Sequence, residues 1–410
     1  MSTSTWQIWE IAENGAMIYK RKILDQILPV LDDQEILVIT GLRRVGKTTL
    51  LKVLFDKIQS PNKLMLDMEN PMHQLLFQEI NYDQIINNLA TMGIKKDERI
   101  YLFLDEIQVI PEIVKPIKYL FDHYSVKFFL TGSSSFYIKN LFPESLAGRK
   151  YIFELFPLTF DEFLAFHDSP LSIAKSWEEK DSQKNNFQAL QLKNHYQQYL
   201  QFGGFPQVVL TTDDTKKKMI LQDIFNAYFD KEVRQLADFR FINKFRDLLL
   251  LLMKRVGSKL DITKLAQEWG ISRDTVYSYL TFLEKTYFIQ LINPFTLNID
   301  REISGARKSY FSDHGILQWL QSFPMGTVLE NAIFTQIKPE AKSIHFYQKR
   351  NGKEIDFIID QKIAIEVKET GTPSDYAELK KLCETIGIPE FYIVTLNYVD
   401  LPGFIPACMV

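Results

Sequence analysis

Glu35-Ile-Leu-Val-Ile-Thr-Gly-Leu-Arg-Arg-Val-Gly-Lys-Thr48 is the stretch that decides the architecture. Residues 35–40 are a short apolar run ending at Gly41, which reads as a buried strand. From Thr48 to Ile58 the apolar residues fall at helical spacing. A glycine-containing loop between a buried strand and a helix suits phosphate. Its glycines let backbone N–H groups turn onto phosphate oxygens, a lysine reaches the β and γ phosphates, and a hydroxyl helps to hold Mg²⁺. Gly41, Gly46, Lys47 and Thr48 supply these parts, with Thr49 beside them, and the helix opening at Lys47 adds its positive dipole end. The expected cofactors are therefore ATP and Mg²⁺.

Outward from this loop, further buried-strand candidates lie at Leu64–Met68, Ile100–Leu104, Val126–Leu130 and Tyr151–Leu155, separated by helical stretches. That alternation predicts an α/β fold with a parallel-sheet P-loop core. The run Tyr101-Leu-Phe-Leu-Asp105-Glu106 ends in two acids. Asp105 is placed to hold Mg²⁺ through water, and Glu106 to orient and polarise the attacking water. The next strand ends in Thr131-Gly-Ser-Ser-Ser, so Thr131, Ser133 and Ser134 are candidates to sense the γ-phosphate; serines there also serve as helix N-caps. Arg149, just before the fifth strand, is placed either to reach a neighbouring subunit's ATP or to sit solvated on the surface.

Gly-Leu-Arg-Arg-Val-Gly-Lys-Thr, Leu-Asp-Glu-Ile-Gln, Leu-Thr-Gly-Ser-Ser-Ser, Leu-Ala-Gly-Arg and Gly203-Gly-Phe-Pro206 together resemble the prokaryotic AAA+ ATPases of the AAA_14/DUF4143 type. The resemblance spans nearly the whole chain. It implies an AAA+ core, a homo-oligomer with a hexamer-like ring, and Arg149 in the arginine-finger position. No clear sensor-2 arginine stands out, and Arg234 is a weak candidate.

The composition narrows the field. The 410 residues allow two or three domains, and 46% hydrophobic residues suffice for a core in each. A net charge of −3 gives no global pull toward nucleic acid, so a basic face has to be local. Cys383 and Cys408 are too far apart for a CxxC motif, which fits a reducing cytoplasm rather than a disulfide framework or zinc cage. The N-terminal residues lack a signal-peptide pattern, and the densest apolar run, Leu248–Met253, is too short to span a bilayer, so no membrane partner is expected.

Residues 261–280 read as helix, Gly270 turn, helix, with Ser272 as N-cap and Leu265, Ala266, Ile271, Val276, Leu280 and Leu283 as core. Arg273, Tyr277, Ser278 and Thr281 then face outward, where a recognition helix reads a groove. Residues 240–290 hold nine Lys and Arg against five Asp and Glu, an excess opposite in sign to that of the chain. DNA is the expected partner of this winged-helix region; the alternative is a protein-packing lid.

Near the C-terminus, Asp356, Glu366 and Lys368 lie on two apolar strands joined near Gln361, with Glu330 on an upstream helix. Glu366 and Lys368, two apart, share a strand face. The order helix, three strands, helix, strand over 327–395 resembles the PD-(D/E)xK nuclease fold. That resemblance implies Asp356 and Glu366 as Mg²⁺ ligands, Glu330 assisting, and Lys368 positioning a water. A degenerate nuclease fold used for binding or assembly is the other reading.

The expected domains are an AAA+ core at 1–157, a helical lid at 158–237, a winged helix at 238–300 and a nuclease-like domain at 301–410. Three functions follow: an oligomeric motor that remodels DNA, including branched or junction DNA; an ATP-gated nuclease; and a nucleotide-switched signalling or assembly protein without nucleic acid.

Overall fold

The computed structural model describes residues 8–11, 17–110, 112–133, 148–233, 242–296, 305–349 and 352–410. Ser134, Leu146 and Ala147 of the Leu-Ala-Gly-Arg motif, and Arg234 lie outside the described residues. The chain divides into two units: Lys20–Phe156 with Lys285–Tyr287, and the rest.

The first unit is built on five parallel strands: β1 (Ile36–Thr40), β2 (Lys63–Asp67), β3 (Ile100–Asp105), β4 (Val126–Gly132) and β5 (Lys150–Glu154). Helix α1 (Lys47–Lys57) follows β1, and α2 (Val114–His123) follows β3. Every residue of β1 and β4 is buried, because both sheet faces are covered. On one face Val38, Leu102, Leu104, Phe128 and Leu130 pack with Ile117 and Leu120 of α2. On the other, Phe103 and Phe129 stack at 4.2 Å, and Phe55 of α1 meets Phe103 edge-on at 5.1 Å. Such a stacked pair contributes about 1 kcal/mol beyond its buried area. The strand order is β2-β3-β4-β1-β5. Because β4 lies between β1 and β3, the ends carrying the glycine loop, Thr131 to Ser133 and Asp105-Glu106 are neighbours.

In the second unit, α3 (Phe160–Phe166), α4 (Asn186–Phe202) and α5 (Asp214–Tyr228) precede α6 (Ile242–Met253), α7 (Ile262–Trp269) and α8 (Arg273–Lys285). The Gly-Gly-Phe-Pro motif ends α4. Its Gly204 N–H donates to the buried carboxylate of Asp313 at 2.8 Å, which also accepts from Gly315 (2.8 Å) and Ile316 (3.1 Å). One aspartate thus caps α9 (His314–Leu320) and pins the turn; burial raises its pKa.

Asp261 caps α7 by accepting from the Lys264 N–H at 2.9 Å, and Gly270 ends the helix. Ser272 Oγ accepts from the Thr275 N–H at 3.1 Å at the start of α8. Leu265, Ala266, Val276, Leu280 and Leu283 are buried as expected, but Ile271 is only partly so. Tyr279 and Phe282 of α8 complete that core against Phe245 of α6, at ring separations of 5.3 and 5.9 Å.

A hairpin follows, β6 (Ile289–Pro294) with β7 (Lys308–Phe311), then α10 (Met325–Ile337), β8 (Ile344–Gln348), β9 (Glu354–Ile359), β10 (Ile363–Lys368), α11 (Pro373–Ile386), β11 (Glu390–Thr395) and β12 (Phe404–Pro406). The strands form one mixed sheet in the order β12-β11-β10-β9-β8-β6-β7. Helix, three strands, helix and strand occur over 327–395 in the order read from the sequence. The β6–β7 hairpin then extends that sheet through parallel pairing of β6 with β8. Among the described residues, no helix is long and apolar enough to cross a membrane.

Candidate functional site

The loop after β1 wraps onto the start of α1. Gly41 has φ +148, and a Cβ there would lie 2.1 Å from the Leu155 carbonyl oxygen, so only glycine lets the chain pass this close to the end of β5. Lys47 is buried, and its ammonium donates to the carbonyls of Gly41 (3.0 Å) and Leu42 (2.9 Å), holding the loop curled over it. Thr48 and Thr49 are exposed on the first turn of α1. Arg21, buried, donates to the Val45 carbonyl at 2.8 Å and the Phe156 carbonyl at 2.7 Å, bracing the loop from behind. No spacing rule singles out that arginine, because it precedes the motif by 20 residues.

Thr48 Oγ1 donates to Asp105 Oδ2 at 2.7 Å. Thr131 Oγ1 donates to Asp105 Oδ1 and accepts from the Glu106 N–H at 3.0 Å. Burial raises the Asp105 pKa against the lowering effect of these hydroxyls, with neighbouring Glu106 and Asp67 adding to the rise. A desolvated carboxylate beside a threonine hydroxyl suits a hard cation, so the donor set fits Mg²⁺ between Thr48 and Asp105. Glu106 takes a left-handed backbone conformation (φ +55), and its carboxylate accepts from the Gln108 amide. The same amide group donates to Ser133 Oγ at 3.1 Å, while Gln108 Oε1 accepts from the Ser133 N–H at 3.3 Å. Gln108 therefore bridges the acid to the end of β4. It stands inside the Leu-Asp-Glu-Ile-Gln motif, but its role appears only when β3 and β4 are seen side by side.

Arg149 lies at the other end of the sheet. Its carbonyl accepts from the Ile36 N–H at 2.8 Å, at the start of β1, whereas the phosphate loop follows the end of that strand. Five residues of strand separate the two, roughly 16 Å. The guanidinium is exposed, pairs with Asp122 and lies 6.0 Å from the Phe121 ring.

In the second unit, Arg273, Tyr277, Ser278 and Thr281 are all exposed on α8. Arg273 and Tyr277 line a cavity of 590 Å³ with Lys259, Asn293 and Arg307; Ser278 and Thr281 are not among its lining residues.

The C-terminal candidates lie close together, Asp356 acting electrostatically on Glu330, Glu366 and Lys368, and a lysine that the sequence did not single out joins them. Lys308, fully buried on β7, projects its ammonium among three carboxylates: Glu354 at 3.5 Å, Glu330 at 3.6 Å and Asp356 at 3.7 Å. Burial alone would lower its pKa, but these acids outweigh it and the net shift is upward. Tyr310, two residues along β7, donates to Glu330 at 2.7 Å. Burial, then Asp356, pushes the Glu330 carboxyl up to about 8. Asp356 also accepts from the Val367 N–H at 2.9 Å, while Glu366 pairs with Lys368 at 2.8 Å. Burial pushes Glu366 up to about 7. Among the described residues, no three His, Cys, Asp or Glu side chains converge into a set able to hold a metal ion.

Three family models match the chain: an AAA domain over residues 33–164, a domain of unknown function (DUF8612) over 193–326, and another (DUF4143) over 325–405. An uncharacterized protein of Methanocaldococcus jannaschii is 28% identical, covering 95% of this chain and 88% of its own. An uncharacterized protein of Haemophilus influenzae is 26% identical, covering 88% of this chain and 90% of its own. Among solved structures, C. elegans PCH-2 is similar at 11% identity and a TM-score of 0.28 over 50% of this chain and 57% of that one, too weak a likeness to carry an argument. The phosphate loop, the acid pair at the end of β3 and the tandem domain matches agree: the chain belongs to the P-loop AAA+ ATPase family, in its AAA_14/DUF4143 type.

Proposed function

We propose that this chain is a homo-oligomeric, cytoplasmic ATPase that binds DNA and couples ATP hydrolysis to remodelling it. The observation that carries the reading is the joined set Thr48–Asp105–Thr131–Glu106 beside the phosphate loop. Lys47, the loop amides and the first turn of α1 bind and orient the β and γ phosphates. Thr48 and Asp105 would hold Mg²⁺, which when bound neutralises charge on the phosphate oxygens. Glu106 orients a water for in-line attack on the γ-phosphorus and draws off its proton. The bond to the β,γ-bridging oxygen breaks, leaving ADP and phosphate. Gln108 and Ser133 position the Glu106 carboxylate.

Arg149 is too far from its own loop to touch its own nucleotide, which supports a role at a neighbour's in a hexamer-like ring. Arg149→Ala is expected to lower turnover about 10³-fold or more while leaving nucleotide binding intact. Normal turnover in that variant sinks the finger assignment.

DNA binding rests on the helix–turn–helix α7–α8, the preceding helix α6 and the following hairpin, an order that matches a winged helix. Three cations of the adjoining cavity, Lys259, Arg273 and Arg307, suit phosphate contact. The test is ATPase activity with and without linear, single-stranded and four-way-junction DNA, run beside particle size. Neither a gel shift nor any stimulation with these DNAs would overturn the DNA part and leave a nucleotide-switched assembly protein.

A further inference from the structure

Carboxylates of the C-terminal domain form a box around one buried ammonium, open at the edge where the Glu354 side chain is 34% exposed. Lys308 and Tyr310 project from one face of β7, Glu354 and Asp356 from one face of β9, and Glu330 from α10. Gly257 closes the side behind Glu330: a Cβ there would lie 2.7 Å from both carboxylate oxygens, and its φ is +71. Gln348 donates to Glu354 at 2.9 Å, and the Val367 N–H holds Asp356. Into this box points the Lys308 ammonium, 1% exposed and within 3.7 Å of all three acids. The Phe346 ring lies 5.5 Å from it. A buried cation ringed by carboxylates has the electrostatic surroundings of a bound metal, and a second cation placed there would be repelled by the first at close range. The residues present therefore do not fit a divalent ion.

We infer that Lys308 supplies the positive charge of this site in place of a divalent cation, so that the domain keeps a nuclease-like frame without metal-dependent cleavage. Its carboxylates then serve to hold β7, β9 and α10 together. Loss of the ammonium leaves a cavity rimmed by acids, which is the environment a divalent ion seeks.

The experiment uses full-length, nucleotide-free protein with Mn²⁺ as the probe. Wild type and Asp356→Asn are expected to bind Mn²⁺ alike, and wild type to show no DNA cleavage that Asp356→Asn removes. Lys308→Met, a neutral stem of similar length, is expected to gain a Mn²⁺ site, seen as an upward shift in Tm of roughly 5 °C at saturating metal. That shift should vanish when Asp356→Asn is added. Mn²⁺ binding or DNA cutting in wild type that depends on Asp356 overturns the inference, as does a folded Lys308→Met protein indifferent to Mn²⁺. Should Lys308→Met not fold, the wild-type and Asp356→Asn pair decides the question alone.

Discussion

Replacing Glu330 by glutamine removes one titrating group from the buried box while keeping an acceptor for the Tyr310 hydroxyl. In the folded chain this carboxyl releases its proton at about 8, against 4.5 for an ordinary glutamate. Between those values the folded state holds a proton that the unfolded state has lost, so stability falls as pH rises through the window and levels off above it. At about 1.4 kcal/mol for each pH unit over which the two states differ, the full effect is roughly 5 kcal/mol. Glu366, pushed up to about 7, tilts the wild-type curve the same way, so the informative quantity is wild type minus Glu330→Gln. Urea unfolding of both proteins across the window supplies it. The difference should shrink steadily from the acid to the alkaline side, with the variant gaining relative to wild type. Parallel curves would mean that Glu330 titrates as it does in water, and burial beside Asp356 would be the wrong description of its surroundings.

Other perturbations address the nucleotide site and the frame. Glu106→Gln should bind ATP with wild-type affinity and lower turnover at least about 10²-fold, read by a fluorescent nucleotide and a phosphate-release assay. Gly41→Ala places a methyl against the Leu155 carbonyl; loss of roughly 1–3 kcal/mol of stability and weakened nucleotide binding should appear together in thermal shift and titration. Asp313→Ala strips an acceptor from three buried N–H groups and should cost roughly 3 kcal/mol or more in unfolding measurements.

The nucleotide-binding half was largely legible because its signals are local. Residues 36–40 and 126–132 are buried on both faces, as are 100–105 apart from half-buried Tyr101, so they read as continuous apolar runs, and the phosphate loop lies within eight consecutive residues. The hairpin turn near Gln361 was legible for the same reason; Asp360 and Gln361 take the positive φ values, 50° and 58°, that a tight turn needs. What escaped notice depends on pairing between distant segments. The register that joins β6 to β8, His345 opposite Asn293, leaves no trace in either segment alone. Lys308 heads a four-residue strand and looks like any surface lysine until acids from residues 330, 354 and 356 are folded around it. Ile271 shows the reverse: it is apolar yet only partly buried, while Tyr279 and Phe282 fill the core against Phe245.

The placement of Arg149 at the start of the strands and of the phosphate loop at their finish gives each subunit two unlike poles. In the proposed ring, a contact that joins the first pole of one copy to the second pole of the next and repeats in one direction is heterologous. Every added copy leaves one unused donor and one unused acceptor until the series closes on itself. Specific activity should accordingly climb with protein concentration. A mixture of wild type with Arg149→Ala should lose activity in direct proportion to the variant share when each arginine serves only its one neighbour, and faster than that when the poles communicate around the closed series.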